Sequence, residues 1–110
     1  MNRLSLISAE PNELGMSLHW RYTADAIEAT PDKPGVYAFF DELGRLILMG
    51  SATKSLRAIF QSHWKGLEGR STCGAVYIAW DLSADPMTLE AELVQRYAKK
   101  FGRLPRRRVS

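Results

Sequence analysis

Apolar and polar residues alternate without a break over residues 16–22, and this period of two is typical of a strand with one buried face. Residues 4–8 are a suitable partner strand, because the intervening stretch 10–15 is rich in residues that favour turns. The pattern therefore predicts an N-terminal hairpin. A short helix over residues 23–29 follows, and the prolines within residues 31–35 end any regular structure there.

The next segment predicts a second hairpin and then a helix. Residues 36–40 have the composition of a buried strand, residues 41–44 form a tight turn in which glycine supplies a positive φ, and residues 45–49 form the returning strand. Residues 55–65 place apolar side chains at i, i+3, i+4 and i+8, which predicts one stripe of a helix. The stripe consists of Leu56, Ile59, Phe60 and Trp64.

The last two predicted elements are a strand and a helix. Residues 75–80 give the strongest buried-strand signal of the chain and are the predicted central strand. Asp85 and Pro86 suit the start of a helix and Gly102 its end, with an inward stripe of Leu89, Leu93, Val94 and Tyr97. The order of elements predicts an α/β (α+β) fold: a small sandwich whose mainly antiparallel three-stranded central sheet is flanked by helices.

Length and composition indicate one globular domain. The 110 residues are 45% hydrophobic and 25% charged, which suits a single core. We expect a hairpin and short helix over residues 1–30, the core over 31–101 and a basic tail over 102–110. Since no apolar run approaches the roughly 18 residues that cross a bilayer and the start lacks signal-peptide features, we expect a cytoplasmic protein with no membrane partner.

Two further observations narrow the chemistry. Cys73 is the only cysteine, so an internal disulfide or a cysteine-rich zinc site is excluded. Residues 99–110 carry six basic groups and no acid, whereas residues 1–98 carry nine basic and twelve acidic groups, a net charge of −3. Such a cationic segment attracts nucleic acid through counterion release, with an anionic membrane surface or an acidic partner as lesser alternatives. A solvated tail that only aids solubility fits equally well.

Four segments together resemble the GIY-YIG nuclease superfamily, which includes excision-repair nucleases and certain homing endonucleases. They follow in the family's order and spacing, each on the predicted element, and span residues 35–98, more than half of the chain. The segments are PGVY at 34–37, LMGSA at 48–52, SHWKGLEG at 62–69 and LEAELVQRY at 89–97. The resemblance implies a GIY-YIG-like sandwich with the predicted hairpin added at its N-terminus, and DNA as the partner.

Carried over residue by residue, the resemblance implies catalytic roles for Tyr37, His63 and Glu90. Tyr37 would be the first motif tyrosine, which positions or deprotonates the attacking water, and His63 a general base or phosphate contact. Glu90 would hold the Mg²⁺ or Mn²⁺ ion of an active enzyme. Taken alone, a histidine within an apolar stripe is most often a packing residue, and a glutamate early in a helix is usually solvated.

The sequence departs from the family pattern at three places. Leu48 stands where the family has its second tyrosine, and Ile59 stands where an arginine steadies the charge of the transition state. Arg57 is the fourth catalytic candidate, because it could take the role of that arginine. At 100° per residue, however, it lies about 200° round the helix from Ile59. The asparagine that often follows a C-terminal proline in the family is absent. The cationic residues expected to bind nucleic acid are Lys54, Lys65, Arg103, Arg106, Arg107 and Arg108.

Three functions follow as hypotheses. The first is a nucleic-acid-binding domain of this fold with weak or absent cleavage. Stabilisation of the transition-state charge is commonly worth orders of magnitude in rate, and the arginine and the second tyrosine of the family are both missing here. The second is an active, divalent-metal-dependent DNA endonuclease with a variant site. The third is a protein-interaction module without nucleic acid, because Trp20, Trp64 and Trp80 occupy predicted inward positions and leave no obvious base-stacking aromatics.

Overall fold

The structure is a computed structural model that describes residues 6–7, 19–67, 72, 74–103 and 108–109. Its centre is a sheet in the order β1-β2-β5-β3-β4-β6. The strands are β1 (Leu6–Ile7), β2 (His19–Arg21), β3 (Gly35–Phe40), β4 (Leu46–Ala52), β5 (Tyr77–Leu82) and β6 (Arg108–Val109). Neighbouring strands run antiparallel except β4 and β6, which are parallel.

The predicted fold class is confirmed. Strands β5, β3 and β4 form the expected antiparallel centre, and the expected N-terminal hairpin is the pairing of β1 with β2. That hairpin continues the sheet, since β2 also pairs with β5. Strand β3 has a hydrogen-bonded neighbour on each side, and all six of its residues are buried. The structure therefore adds strands at both edges of the three predicted central strands: β2 and β1 beyond β5, and β6 beyond β4.

Among the described residues three helices form, each beginning at a residue that can cap it. The helices are α1 (Ala24–Ala29), α2 (Leu56–Trp64) and α3 (Pro86–Phe101). The side chains of Thr23, Ser55 and Asp85 accept hydrogen bonds from backbone N–H groups of the first turns, which would otherwise lack partners. Helix α3 ends at Gly102, whose φ of 70° is the left-handed conformation that glycine adopts without strain. No helix among the described residues is long and apolar enough to span a bilayer.

The sheet has a helix-covered apolar cluster on each face. Because side chains alternate along β3, Val36, Ala38 and Phe40 lie on one face and pack with α3. We call this the α3 face; its other buried members are Leu46, Met49, Ala79, Leu93, Val94 and Tyr97. Tyr37 and Phe39 point to the opposite face, here called the α2 face. Its remaining buried members are Ala26, Ile27, Leu48, Ala52, Leu56, Phe60 and Ile78.

The inward stripe of α2 differs from the predicted one at its end. His63 is buried, whereas Trp64 is 50% exposed, so the expectation that Trp64 points inward is wrong. The reason is geometric: at 100° per residue His63 lies about 20° from the direction of Leu56, and Trp64 lies about 80° away. Trp20 and Trp80 are partly buried and pack against the α2-face cluster, as expected.

Candidate functional site

Tyr37 lies in the middle of β3 and is completely buried, its hydroxyl oxygen included. It pairs with Gly50 on one side and Trp80 on the other. Its ring meets the ring of Phe60 edge to face at 5.9 Å between centroids. A phenol enclosed in this way does not contact bulk water and does not reach a phosphate at the protein surface.

His63 joins Tyr37 in the same aromatic cluster. The imidazole is 6% exposed, and both of its nitrogens are buried. Its centroid lies 4.9 Å from the ring of Phe39 and 6.0 Å from that of Tyr37. The structure thus brings these two candidates together, but as packed rings of the α2 face rather than at an open surface.

Two of the three positions at which the sequence departs from the GIY-YIG pattern, Leu48 and Ile59, border the same cluster. Leu48 is 1% exposed and belongs to the α2-face core. Ile59 is partly buried, packs against that core and also lines a shallow open depression of about 310 Å³ after β4. A tyrosine and an arginine at these places would supply polar groups beside Tyr37. The side chains present supply only apolar surface.

Arg57 is committed to the contact between α1 and α2. Its Nε donates a hydrogen bond of 2.9 Å to the carbonyl oxygen of Thr30, the residue that ends α1. Its backbone N–H donates to the carbonyl oxygen of Pro31. This arrangement gives Arg57 a structural role between the two helices.

Glu90 is 2% exposed, which departs from the ordinary expectation of a solvated glutamate. On the helix it lies about 60° from Leu93, 40° from Val94 and 20° from Tyr97, which places it within the inward stripe of α3. Those three residues pack on the α3 face, opposite the face that holds Tyr37. The backbone of the sheet therefore separates the stripe of Glu90 from the Tyr37–His63 pair.

The metal role of Glu90 depends on the donors around it. Among the described residues, no group of three or more His, Cys, Asp or Glu side chains could hold a metal ion. Mg²⁺ bound through a single carboxylate keeps several water molecules in an octahedral shell and needs open space for them. A carboxylate with 2% exposure does not offer that space, so Glu90 as placed here fits a hydrated Mg²⁺ poorly.

The predicted cationic contacts fall into two groups. Lys54 and Lys65, at the two ends of α2, are exposed. The guanidinium of Arg103 lies 5.3 Å from the ring centroid of Tyr97 and 5.9 Å from that of Phe101, so it packs against the end of α3. Arg106 and Arg107 lie outside the described residues, and for Arg108 only the backbone of β6 is described.

Two features of this region escaped the sequence reasoning. The burial of Glu90 was detectable, because its spacing from Val94 and Tyr97 already placed it on the inward stripe. The exposure of Trp64 was detectable from the same angular argument applied to α2. In both cases residue type was given more weight than position on the helix.

Comparison with known proteins gives a partial similarity. Over 79 residues the chain is 32% identical to UvrABC system protein C of two strains of Porphyromonas gingivalis. It is 26% identical over 83 residues to the protein of that name from Christiangramia forsetii. No protein-family profile matches the chain, and no solved structure matches it significantly.

The similarity covers only a small part of these relatives. The aligned segment covers 66% of this chain but 13% of the P. gingivalis protein, and 69% against 14% for that of C. forsetii. The chain therefore spans a small part of the length of these relatives. Over about two thirds of its own residues, it is weakly homologous to that part of UvrABC system protein C.

Proposed function

We propose that this chain is a GIY-YIG-like nucleic-acid-binding domain whose capacity for phosphodiester cleavage is weak or absent. The observation that carries the proposal is the enclosure of Tyr37. The residue that would handle the attacking water is completely buried. Leu48 and Ile59, which stand where the GIY-YIG pattern has a tyrosine and an arginine, belong to or pack against the same cluster. A hydrolytic site needs donors and charges directed at the reacting phosphate, and the side chains of Leu48 and Ile59 provide none.

The positions of the other candidates support the same conclusion. Glu90 belongs to the stripe that packs on the opposite face of the sheet, and Arg57 holds α1 against α2. Cleavage through these residues would require a rearrangement that exposes Tyr37 and opens the α3 stripe. Because a missing transition-state donor alone costs about 10²- to 10³-fold in rate, we expect activity near the limit of detection.

Binding is supported by features that do not need the catalytic geometry. Similarity to UvrABC system protein C supports the GIY-YIG resemblance, since that protein carries a nuclease domain of this type. Lys54 and Lys65 are exposed at the two ends of α2, and a cluster of basic residues follows from Lys99 onward. Cations on a surface bind phosphates irrespective of base sequence. DNA is the ligand that the family resemblance implies.

The test is to incubate the purified chain with supercoiled plasmid and with labelled single-stranded and duplex DNA. Parallel reactions contain Mg²⁺, Mn²⁺ or EDTA, and both nicking and mobility shift are scored. We expect a salt-sensitive shift in every condition, because binding by cations releases counterions, and no metal-dependent nicking.

Two variants make the result specific. Glu90→Gln preserves side-chain volume and removes a metal ligand, and Glu92→Gln is the matched control on the exposed side of the same helix. Metal-dependent nicking that is lost in Glu90→Gln and kept in Glu92→Gln would contradict the proposal and establish an active endonuclease. Absence of both shift and nicking would also contradict it and would favour a protein-interaction module.

A further inference from the structure

Trp64 stands out on the surface as a large aromatic residue that the fold leaves uncovered. It is the last residue of α2 and is 50% exposed. Leu67, one turn further along, is 73% exposed. An indole contributes more apolar area than any other side chain, and a protein that leaves half of one in water forgoes its burial. The exposed surface of Trp64 and Leu67 is therefore a candidate binding surface.

The indole is held in one orientation by a series of ring contacts that reaches into the core. The ring of Trp64 meets that of Tyr22 at 5.1 Å between centroids with an angle of 80°. Tyr22 in turn meets the fully buried Phe39 at 5.2 Å and 75°. Burial raises the pKa of Tyr22, and a smaller opposing effect comes from its hydrogen bond with Thr72, so the phenol is neutral at pH 7. A positioned, half-open indole loses little entropy when a flat ligand stacks on it.

The surroundings of Trp64 favour a polyanion. From residue 43 to residue 67 the chain contains no Asp or Glu. Lys65, the residue that ends α2, is exposed and follows Trp64 directly. The acidic residues Asp25 and Glu28 lie on α1, and the next acidic residue along the chain after Lys65 is Glu68.

We propose that Trp64 is a stacking platform for an unpaired base of single-stranded nucleic acid whose backbone passes Lys65, the exposed cation next to it at the end of α2. The inference deepens the proposed function and rests on it. An exposed aromatic ring next to Lys and short polar side chains is the combination by which proteins bind single strands: bases stack on the ring while phosphates meet the cations. A duplex cannot use this platform, because its bases are already stacked and paired.

The first experiment measures affinity by fluorescence anisotropy of a labelled short oligothymidylate. Trp64→Ala should weaken binding by about 5- to 150-fold, the range that one base–aromatic contact provides. Trp64→Phe, which retains a smaller ring, should give an intermediate loss. Leu67→Ala is the matched control, since it removes exposed apolar surface without removing a π-face, and its affinity should equal that of the wild type. Thermal unfolding of each variant checks that the fold is preserved.

A second readout locates the contact. Titration with unlabelled oligothymidylate should quench the intrinsic tryptophan fluorescence, and the quench should disappear in Trp64→Phe, in which Trp20 and Trp80 remain. Lys65→Gln should lower the salt dependence of binding by about one counterion.

Four results would overturn the inference, and they separate it from the proposed function. Unchanged affinity of Trp64→Ala for the single strand, or wild-type binding restricted to duplex DNA, would remove the stacking site and leave the nucleic-acid-binding proposal standing. An equal loss of affinity in Leu67→Ala and Trp64→Ala would assign the effect to exposed apolar surface in general and exclude a base stacked on the indole. Failure of the wild type to bind any nucleic acid would overturn both proposals.

Discussion

The imidazole of His63 lies 6.0 Å from the ring of Tyr37, at an angle of 55°, and both side chains are inside the core. Two residue types that catalyse proton transfer when exposed are here parts of one aromatic cluster. The cluster also includes Phe39, whose ring lies 4.9 Å from that of His63. The contact is therefore between packing residues, and its first consequence is for stability.

We predict that His63→Ala lowers the free energy of unfolding by about 1–3 kcal/mol, because it leaves a cavity beside Tyr37 and Phe39. His63→Leu, which nearly restores the volume, should lose less. Urea denaturation followed by circular dichroism measures both, with Gln61→Ala on the partly exposed side of α2 as the control. Affinity for DNA should be unchanged in both His63 variants. Reduced DNA binding by a stably folded His63→Leu would indicate instead that the imidazole contacts the ligand.

Of Gly35, Gly66, Gly74 and Gly102, Gly35 leaves the least room for a side chain. A Cβ atom there would overlap the carbonyl oxygen of Asp81 and lie 2.7 Å from Cδ1 of Leu56. Gly35→Ala should therefore destabilise the protein by about 3 kcal/mol, the upper part of the usual range for overpacking. Gly66→Ala is the comparison, because its φ of +78° is strained for alanine but nothing lies within 4 Å, and it should cost about 1 kcal/mol. Equal melting temperatures of the two variants would contradict the packing described for β3 and α2.

Arg57 allows the structural and electrostatic roles of a cation to be separated. Removal of its hydrogen bond to the Thr30 carbonyl in Arg57→Ala should cost about 1–2 kcal/mol of stability. Arg57→Lys keeps the charge and should lose part of the stability while binding DNA as the wild type does. Lys54→Ala is the converse control: it removes an exposed charge and should weaken DNA binding with a change in stability within about 0.5 kcal/mol. Full stability of Arg57→Ala would show that the contact between α1 and α2 does not depend on it.

Asp41 makes the β3–β4 hairpin sensitive to acid. Burial raises the pKa of this carboxyl, but hydrogen bonds from the backbone of Arg45 and Leu43 and the nearby Arg45 guanidinium outweigh that effect, so the pKa is lower than usual. A lowered pKa stabilises the folded state above the unfolded value of about 3.9, and the stabilisation is lost as pH falls through the folded value.

Asp41→Asn should therefore be less stable than the wild type at neutral pH, by less than about 1 kcal/mol since the pair is at the surface. The difference should shrink below about pH 4, where the wild-type carboxyl also loses its charge. Urea unfolding at a series of pH values measures this difference. Glu42→Gln, an exposed neighbour, controls for the loss of one negative charge. A difference that stayed constant down to acid pH would exclude the carboxylate as its source.

Local rules were sufficient for most of the fold. The alternation at residues 16–22, the turn ending at Gly44, the apolar spacing over residues 55–65 and the cap at Asp85 act between residues close in sequence, and the corresponding elements are present. The pairing of β6 with β4 could not be predicted in this way. It joins residues about sixty positions apart, and a two-residue strand carries no periodicity of its own.

The arrangement of the candidate site, in contrast, could not be predicted from local rules. Residue types in a familiar order suggested that Tyr37, His63 and Glu90 act together. Their relation depends on which face of the sheet each side chain points to, and that is set by the parity of β3 and by the separate packing of α2 and α3. A motif records the order of residues along the chain, whereas the layered packing decides which of them meet.

The parallel pairing of Arg108–Val109 with Met49 and Gly50 has a consequence for deletion experiments. Strand β4 would otherwise present open backbone groups along this stretch, and unpaired strand edges recruit other chains into aggregates. Deletion of residues 103–110 would remove β6 from the edge of β4 as well as the positive charge. A loss of DNA binding after this deletion would therefore not distinguish a missing charge from self-association through the exposed edge of β4. Replacement of the arginines by glutamine without any deletion leaves the backbone in place and isolates the effect of the charge.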